Sequence, residues 1–158
     1  MKHFYGHDLS YSIRFNKARY RFEEKLFDTI MKREQDKEWI QTGLGMPYYY
    51  KVRNEKDTLK PTYGYMVMME YGIFTLGGDT IYSPSEIGTK TYAVDKEELF
   101  AGLREAVKML SKGEEAVFLV PSYLGYGYLG DGERIPPNYP FRLNLKLLEI
   151  RKIKTDTL

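Results

Sequence analysis

Glu105-Ala-Val-Lys-Met-Leu-Ser-Lys-Gly-Glu114, then Phe118-Leu-Val-Pro-Ser-Tyr-Leu-Gly-Tyr-Gly127, then Ile135-Pro-Pro-Asn138 and Leu145-Lys-Leu-Leu-Glu-Ile150: on these runs the reading of the chain turns. The first continues a helical pattern in which Leu99, Leu103, Ala106, Val107 and Leu110 recur three and four residues apart. Asp95-Lys96-Glu97-Glu98 offers a capping aspartate with a glutamate three residues later, so the helix is expected to open there, and Gly113 is a fitting stop. Glu115 to Pro121 reads as a strand, and Ser122 to Pro140 as a long loop rich in Gly, Pro and Tyr. Phe141-Arg142-Leu143-Asn144-Leu145-Lys146-Leu147 alternates apolar and polar, the mark of a strand with one buried face. A polar tail runs from Arg151 to Leu158.

Upstream, Tyr63 to Phe74 is a strand-rich stretch of β-branched, aromatic and Met residues. Gly77-Gly78-Asp79 is a turn signal, and Thr80 to Ser83 restarts extended structure. The order strand, strand, helix, strand, long loop, strand predicts an α+β domain in which an antiparallel sheet wraps a short helix.

Before it lies a segment of different character. Phe22, Leu26, Phe27, Ile30 and Met31 form a helical stripe, and Asn16 is a plausible N-cap, so a helix is expected over about residues 17–38. Arg33 and Lys37 interrupt the stripe, which leaves its later half partly uncovered. Thr42 to Pro47 breaks the helix, Tyr48 to Val52 reads as a short strand, and Asn54 to Pro61 as a polar loop. The expected organisation is an N-terminal helical extension and linker over 1–60, a folded domain over 61–152, and a tail over 153–158.

At 158 residues and 18.6 kDa, with 42% apolar and 29% charged residues, the chain can bury a core unaided. A net charge of +2 argues against charge-driven binding to nucleic acid or membrane as the default. The basic excess lies in residues 1–60, where Lys and Arg alternate with Glu and Asp, a poor nucleic-acid surface. No Cys is present, which excludes disulfides, thiol nucleophiles and thiolate metal sites. No apolar run reaches the roughly 18 residues of a membrane span, and the opening residues have no apolar signal core. The only histidines, His3 and His7, sit near the terminus. Gly6 between them and that position argue against a metal site, and no Ser–His or Cys–His pair can be built around a core. Glu97-Glu98 and Glu114-Glu115 read as a helix start and a strand edge rather than catalytic carboxylates. No cofactor or metal is called for.

Taken together, Met109 to Glu114, Pro121 to Gly127, Ile135 to Asn138 and the closing strand resemble FKBP-type peptidyl-prolyl cis–trans isomerases, with the motifs in the family's order across about residues 61–150. The Phe22–Ile30 helix, Trp39, Thr42-Gly43, Tyr48-Tyr49-Tyr50 and Leu76-Gly-Gly-Asp-Thr-Ile-Tyr-Ser83 resemble a narrower branch, the gliding-motility-associated FKBP-like lipoproteins of Bacteroidota. That second resemblance implies a periplasmic or membrane-tethered protein whose signal and lipidated Cys have been removed.

The family resemblance implies catalysis by Tyr126, Tyr82 and Phe100, and substrate binding by Tyr71, Leu99, Leu103, Ile135, Leu143 and Ser83. Leu103 would be the pocket floor, where many members carry Trp. Tyr126 would offer its hydroxyl, and Phe100 its backbone N–H, to substrate carbonyls. The implied partners are proline-containing peptides or unfolded clients and a weakly bound macrolide, with no nucleic acid. The N-terminal helix would serve a partner or self-association. Departures from the pattern are Ser83, where Asp is common, Lys90 or Tyr92 where an aromatic is expected, and Arg134 before Ile135. Asp131 and Glu133 acidify the overhanging loop. These departures keep a second reading open: a non-catalytic FKBP-like chaperone or interaction module with a degraded pocket.

Overall fold

The computed structural model describes residues 2–152, with side chains from residue 15 onward. The side chains of His3 and His7, and the expected tail at 153–158, lie outside the described residues. The chain divides into two compact units, residues 1–37 and 38–158.

The first unit is one helix, α1 (Lys2–Arg33). It starts about fifteen residues before the expected position and ends five before the expected stop. Asn16 therefore lies inside the helix and caps nothing. Between residues 2 and 33 there is no Pro, and a single Gly6 costs only about 1 kcal/mol relative to Ala. Lys32 and Arg33 occupy the last turn, where they complement the helix dipole. Within the helix the Arg19 Nε donates to Glu23 at 2.8 Å, and the Arg19 guanidinium lies 5.1 Å from the Phe22 ring centre.

The second unit is a six-stranded antiparallel sheet with short helices: β1 (Tyr48–Val52), β2 (Met66–Phe74), β3 (Thr80–Tyr82), α2 (Pro84–Ile87), β4 (Lys90–Ala93), α3 (Ala101–Val107), β5 (Glu115–Val120) and β6 (Phe141–Arg151). Its order is β1-β5-β6-β2-β3, and β4 also pairs with β2. The α+β class, the antiparallel sheet and the N-terminal helix are as the sequence predicts. Strand β1 pairs with β5 from Tyr48↔Phe118 to Val52↔Glu115, so these residues are part of the sheet.

One face of the sheet makes the core. Alternation in β6 buries Phe141, Leu143, Leu145 and Leu147, and in β2 it buries Val67, Met69, Tyr71 and Ile73. Leu103, Ala106 and Val107 of α3 join the same cluster. Fully burying a Leu such as Leu103 is worth roughly 1.5–3 kcal/mol. Gly102 makes the helix–sheet approach possible, since a Cβ there would meet the Val120 Cγ1 at 2.8 Å.

Three local expectations need correction. Helix α3 opens after Phe100, not at Asp95. Asp95 instead adopts a positive φ of 59°, its amide donates to the Tyr92 hydroxyl, and its carboxylate receives Lys108. The helix also stops at Val107, with Lys108 as its C-cap, well before Gly113. The real capping box lies elsewhere: Ser83 accepts from the Glu86 amide, Glu86 accepts from the Ser83 amide, and Pro84 takes the first helical turn of α2. Finally, β6 runs on to Arg151 because it pairs with β2 as far as Met66↔Arg151.

Candidate functional site

An open pocket of about 510 Å³ lies over the N-terminal end of α3. Tyr71 of β2 contributes one wall. Glu98, Leu99 and Phe100, the residues leading into α3, contribute another. Tyr123, Gly125, Tyr126 and Gly127, from the loop after β5, close the third side.

The aromatic rings interlock. Phe100 stands 5.2 Å from Tyr126, 5.5 Å edge-on from Phe141 and 6.5 Å edge-on from Tyr71. Such tilted and edge-to-face pairs fix ring orientations beyond what area burial alone achieves. Gly125 lets the loop come down onto this cluster, because a Cβ at that position would sit 2.7 Å from the Phe141 ring.

Among the described residues the Tyr126 hydroxyl, the Tyr71 hydroxyl and the Phe100 amide, all at this pocket, have no hydrogen-bond partner. Burial raises the Tyr126 hydroxyl to about 12, helped by the neighbouring Tyr71, the charge of Asp131 and Tyr82. Burial likewise raises Tyr71. Both stay protonated donors across the neutral range.

A second cluster does not line the pocket but lies close enough for Asp131 and Tyr82 to act on the Tyr126 hydroxyl. The Tyr82 hydroxyl donates to Asp131 Oδ2 at 2.5 Å. Asp131 Oδ1 accepts from the amides of Glu133 at 2.9 Å and Ile135 at 2.8 Å. Burial alone would raise the Asp131 carboxyl, but the bonds from Tyr82 and these amides prevail and hold it below its ordinary value. Arg134 lies 4.7 Å over the Tyr82 ring and donates to the Ile81 carbonyl and to Glu86.

The residues named from the sequence fall into three groups. Tyr71, Leu99, Phe100 and Tyr126 line the pocket. Leu103, Ile135 and Leu143 do not line it and are core residues, with 0%, 2% and 0% exposure. Tyr82 is half-buried at the Asp131 lip, and Ser83 caps α2 with its hydroxyl oxygen engaged by the Glu86 amide. Tyr92 is buried in β4, and Lys90 pairs opposite Met69 at the start of that strand. Sequence reasoning missed Phe141, whose ring meets both Phe100 and Tyr126. It opens the alternating run of β6 and so was legible only as core. Glu98, which the sequence reads as part of a helix start, is instead the carboxylate of the pocket wall. Among the described residues no group of His, Asp or Glu is arranged to hold a metal ion.

Comparison with known proteins bears on the same region. The family model for FKBP-type peptidyl-prolyl cis-trans isomerases matches residues 57–148. A probable FKBP-type peptidyl-prolyl cis-trans isomerase, FkpA, of Neisseria meningitidis is 27% identical over 123 residues, which are 78% of this chain and 44% of that protein. FK506-binding protein 2 of Dictyostelium discoideum is 28% identical over 101 residues, 63% of this chain and 76% of that one. The chain thus spans less than half the length of the Neisseria relative. In fold it is similar to FkpA from Escherichia coli, with a TM-score of 0.67 at 20% identity over 89% of this chain and 64% of that one. It is also similar to a peptidyl-prolyl cis-trans isomerase from Pseudomonas syringae, with a TM-score of 0.64 at 20% identity over 81% and 92%.

Proposed function

Since the chain belongs to the FKBP-type peptidyl-prolyl cis-trans isomerase family, we propose that it accelerates rotation about X–Pro bonds in protein folding clients. Uncatalysed, that rotation crosses roughly 18–20 kcal/mol and takes tens of seconds. The planar amide is polar through resonance. The twisted amide has lost that resonance and is less polar, so a dry aromatic wall favours it over the ground state. No nucleophile takes part.

The observation that carries this reading is the pairing of an interlocked aromatic wall with unpaired donors, the Tyr126 hydroxyl and the Phe100 amide among them. Phe100 and Tyr71 supply apolar surface, and the buried Phe141 backs Phe100. Tyr126 and the Phe100 amide supply hydrogen bonds to carbonyl oxygens of the bound peptide. The two donors orient the chain on either side of proline, and the wall receives the ring. The test is a protease-free assay of proline-limited refolding and of tetrapeptides with an apolar residue before Pro. Modest acceleration is expected. Rates equal to the uncatalysed reaction, with folded protein, reject the enzyme.

A second reading, a non-catalytic chaperone or interaction module, is favoured by one observation: the Ser83 oxygen is spent on a helix cap. It predicts binding of unfolded clients without acceleration. On either reading we propose weak macrolide binding, a periplasmic or lipid-anchored location of the gliding-motility branch, and self-association through α1, where Phe22 is 54% exposed.

A further inference from the structure

We propose that Asp131 is a positioning residue of this pocket: its carboxylate, reaching across from the long loop, holds the Tyr82 hydroxyl and so fixes the lip formed by β3 and α2. The inference rests on the functional reading above and adds to it the residue that sets the geometry of the mouth.

The two oxygens of Asp131 are divided between two tasks. Oδ1 takes the amides of Glu133 and Ile135, and the Asp131 amide donates back to the Ile135 carbonyl at 3.0 Å. That closes the turn which delivers Ile135 to the core. Oδ2 takes the Tyr82 hydroxyl at 2.5 Å. This is a charge-assisted bond, of the class roughly twice as strong as neutral ones. A turn alone needs only the first oxygen. The second joins two segments 49 residues apart in the chain.

The partnership also settles the sense of the polar groups. With its hydrogen committed to Asp131, Tyr82 presents only lone pairs. Tyr126, whose hydroxyl has no protein partner among the described residues, keeps its hydrogen for an incoming carbonyl. Ser83, where a carboxylate is common in the resembling family, is turned to the α2 cap. The carboxylate beside Tyr82 therefore comes from the loop rather than from the end of β3. Arg134 is the cation of the same lip, and it is neutralised by Glu86. The groups that bear on the Tyr82–Asp131 pair are Arg134, Glu133, Tyr126 and, through Arg134, Glu86.

Asp131→Asn is the discriminating variant. Its side-chain oxygen still accepts the two loop amides, while its NH₂ faces Tyr82 with a donor in place of an acceptor. The native chain, Asp131→Asn, Tyr82→Phe and the double variant are compared in the protease-free isomerisation assay. Each single variant is expected to lower kcat/KM by about tenfold, and the double variant to lose no more than the larger single loss. An unchanged kcat/KM in folded Asp131→Asn, or losses that multiply in the double variant, overturns the proposal. Tyr82→Phe breaks the same bond and leaves the turn intact. It decides alone if Asp131→Asn does not fold, a loss supporting the proposal and unchanged kcat/KM overturning it.

If the native chain does not catalyse at all, it is the functional reading that fails. Ultraviolet titration of the tyrosines then tests the lip without any activity. Asp131→Asn is expected to bring tyrosine ionisation to lower pH than in the native chain. Superimposable titration curves overturn the proposal.

Discussion

Tyr126 combines a buried ring with an unpaired hydroxyl, and both properties are measurable. Its hydroxyl is raised to about 12, with burial as the first cause, against an ordinary value near 10. The folded protein therefore holds a proton that the unfolded chain releases. The resulting stability is fully present below about pH 10 and is lost as pH rises toward about 12. Chemical denaturation of the native chain and of Tyr126→Phe across that range is expected to show a steeper alkaline loss in the native chain. Parallel curves contradict the assignment. In the isomerisation assay Tyr126→Phe is expected to lower kcat/KM by roughly two- to tenfold, the worth of one neutral hydrogen bond. Tyr126 was legible in the sequence because Pro121 to Gly127 carries a family pattern. Asp131 was noticed only as a charge, since nothing in a linear sequence says that a loop carboxylate meets a hydroxyl 49 positions away.

Elements were legible where one periodicity ruled. Phe141 to Leu147 alternates, and it forms a strand with the predicted inward face. The start of α3 was misplaced because Asp95-Lys96-Glu97-Glu98 has the local spelling of a cap, while Asp95 is drawn into a turn with Tyr92 and Lys108. The same spelling at Ser83-Pro84-Ser85-Glu86 is the one that caps a helix, because there the Ser83 oxygen takes the Glu86 amide and the Glu86 carboxylate takes the Ser83 amide. A local motif states what a segment can do, and tertiary partners select among its options. Helix α3 also makes a sharp prediction. A methyl at Gly102 meets Val120 at 2.8 Å and the Leu124 carbonyl at 3.0 Å. Gly102→Ala is expected to destabilise the fold by about 1–3 kcal/mol through overpacking, despite the better helix propensity of Ala. Urea denaturation measures it, and a stability equal to or above the native value would refute the close contact.

At the scale of the molecule, every residue of the main core cluster, from Met46 to Leu147, belongs to the unit 38–158. Such a unit holds its own apolar interior, so residues 38–158 expressed alone are expected to unfold cooperatively and to keep whatever peptide isomerisation the full chain has. Light scattering of both forms is expected to show a smaller oligomeric mass without α1. A non-cooperative fragment contradicts the first expectation, and equal subunit numbers contradict the second. Within the unit, β2 is forked on one side: its first half pairs with β4, from Met66↔Ala93 to Met69↔Lys90, and its end with β3, at Ile73↔Tyr82 and Phe74↔Thr80. Strands β5 and β6 have ladder partners on both sides. Protection against solvent deuterium is therefore graded across the sheet. Amides of β5 and β6 are expected to exchange only with global opening, and those of Thr80 to Ala93 sooner, in a smaller cooperative step. That segment carries Tyr82, so the breathing of a peripheral flap, detectable by exchange mass spectrometry long before the protein unfolds, would set how often the pocket mouth stands open to a chain as bulky as a nascent polypeptide.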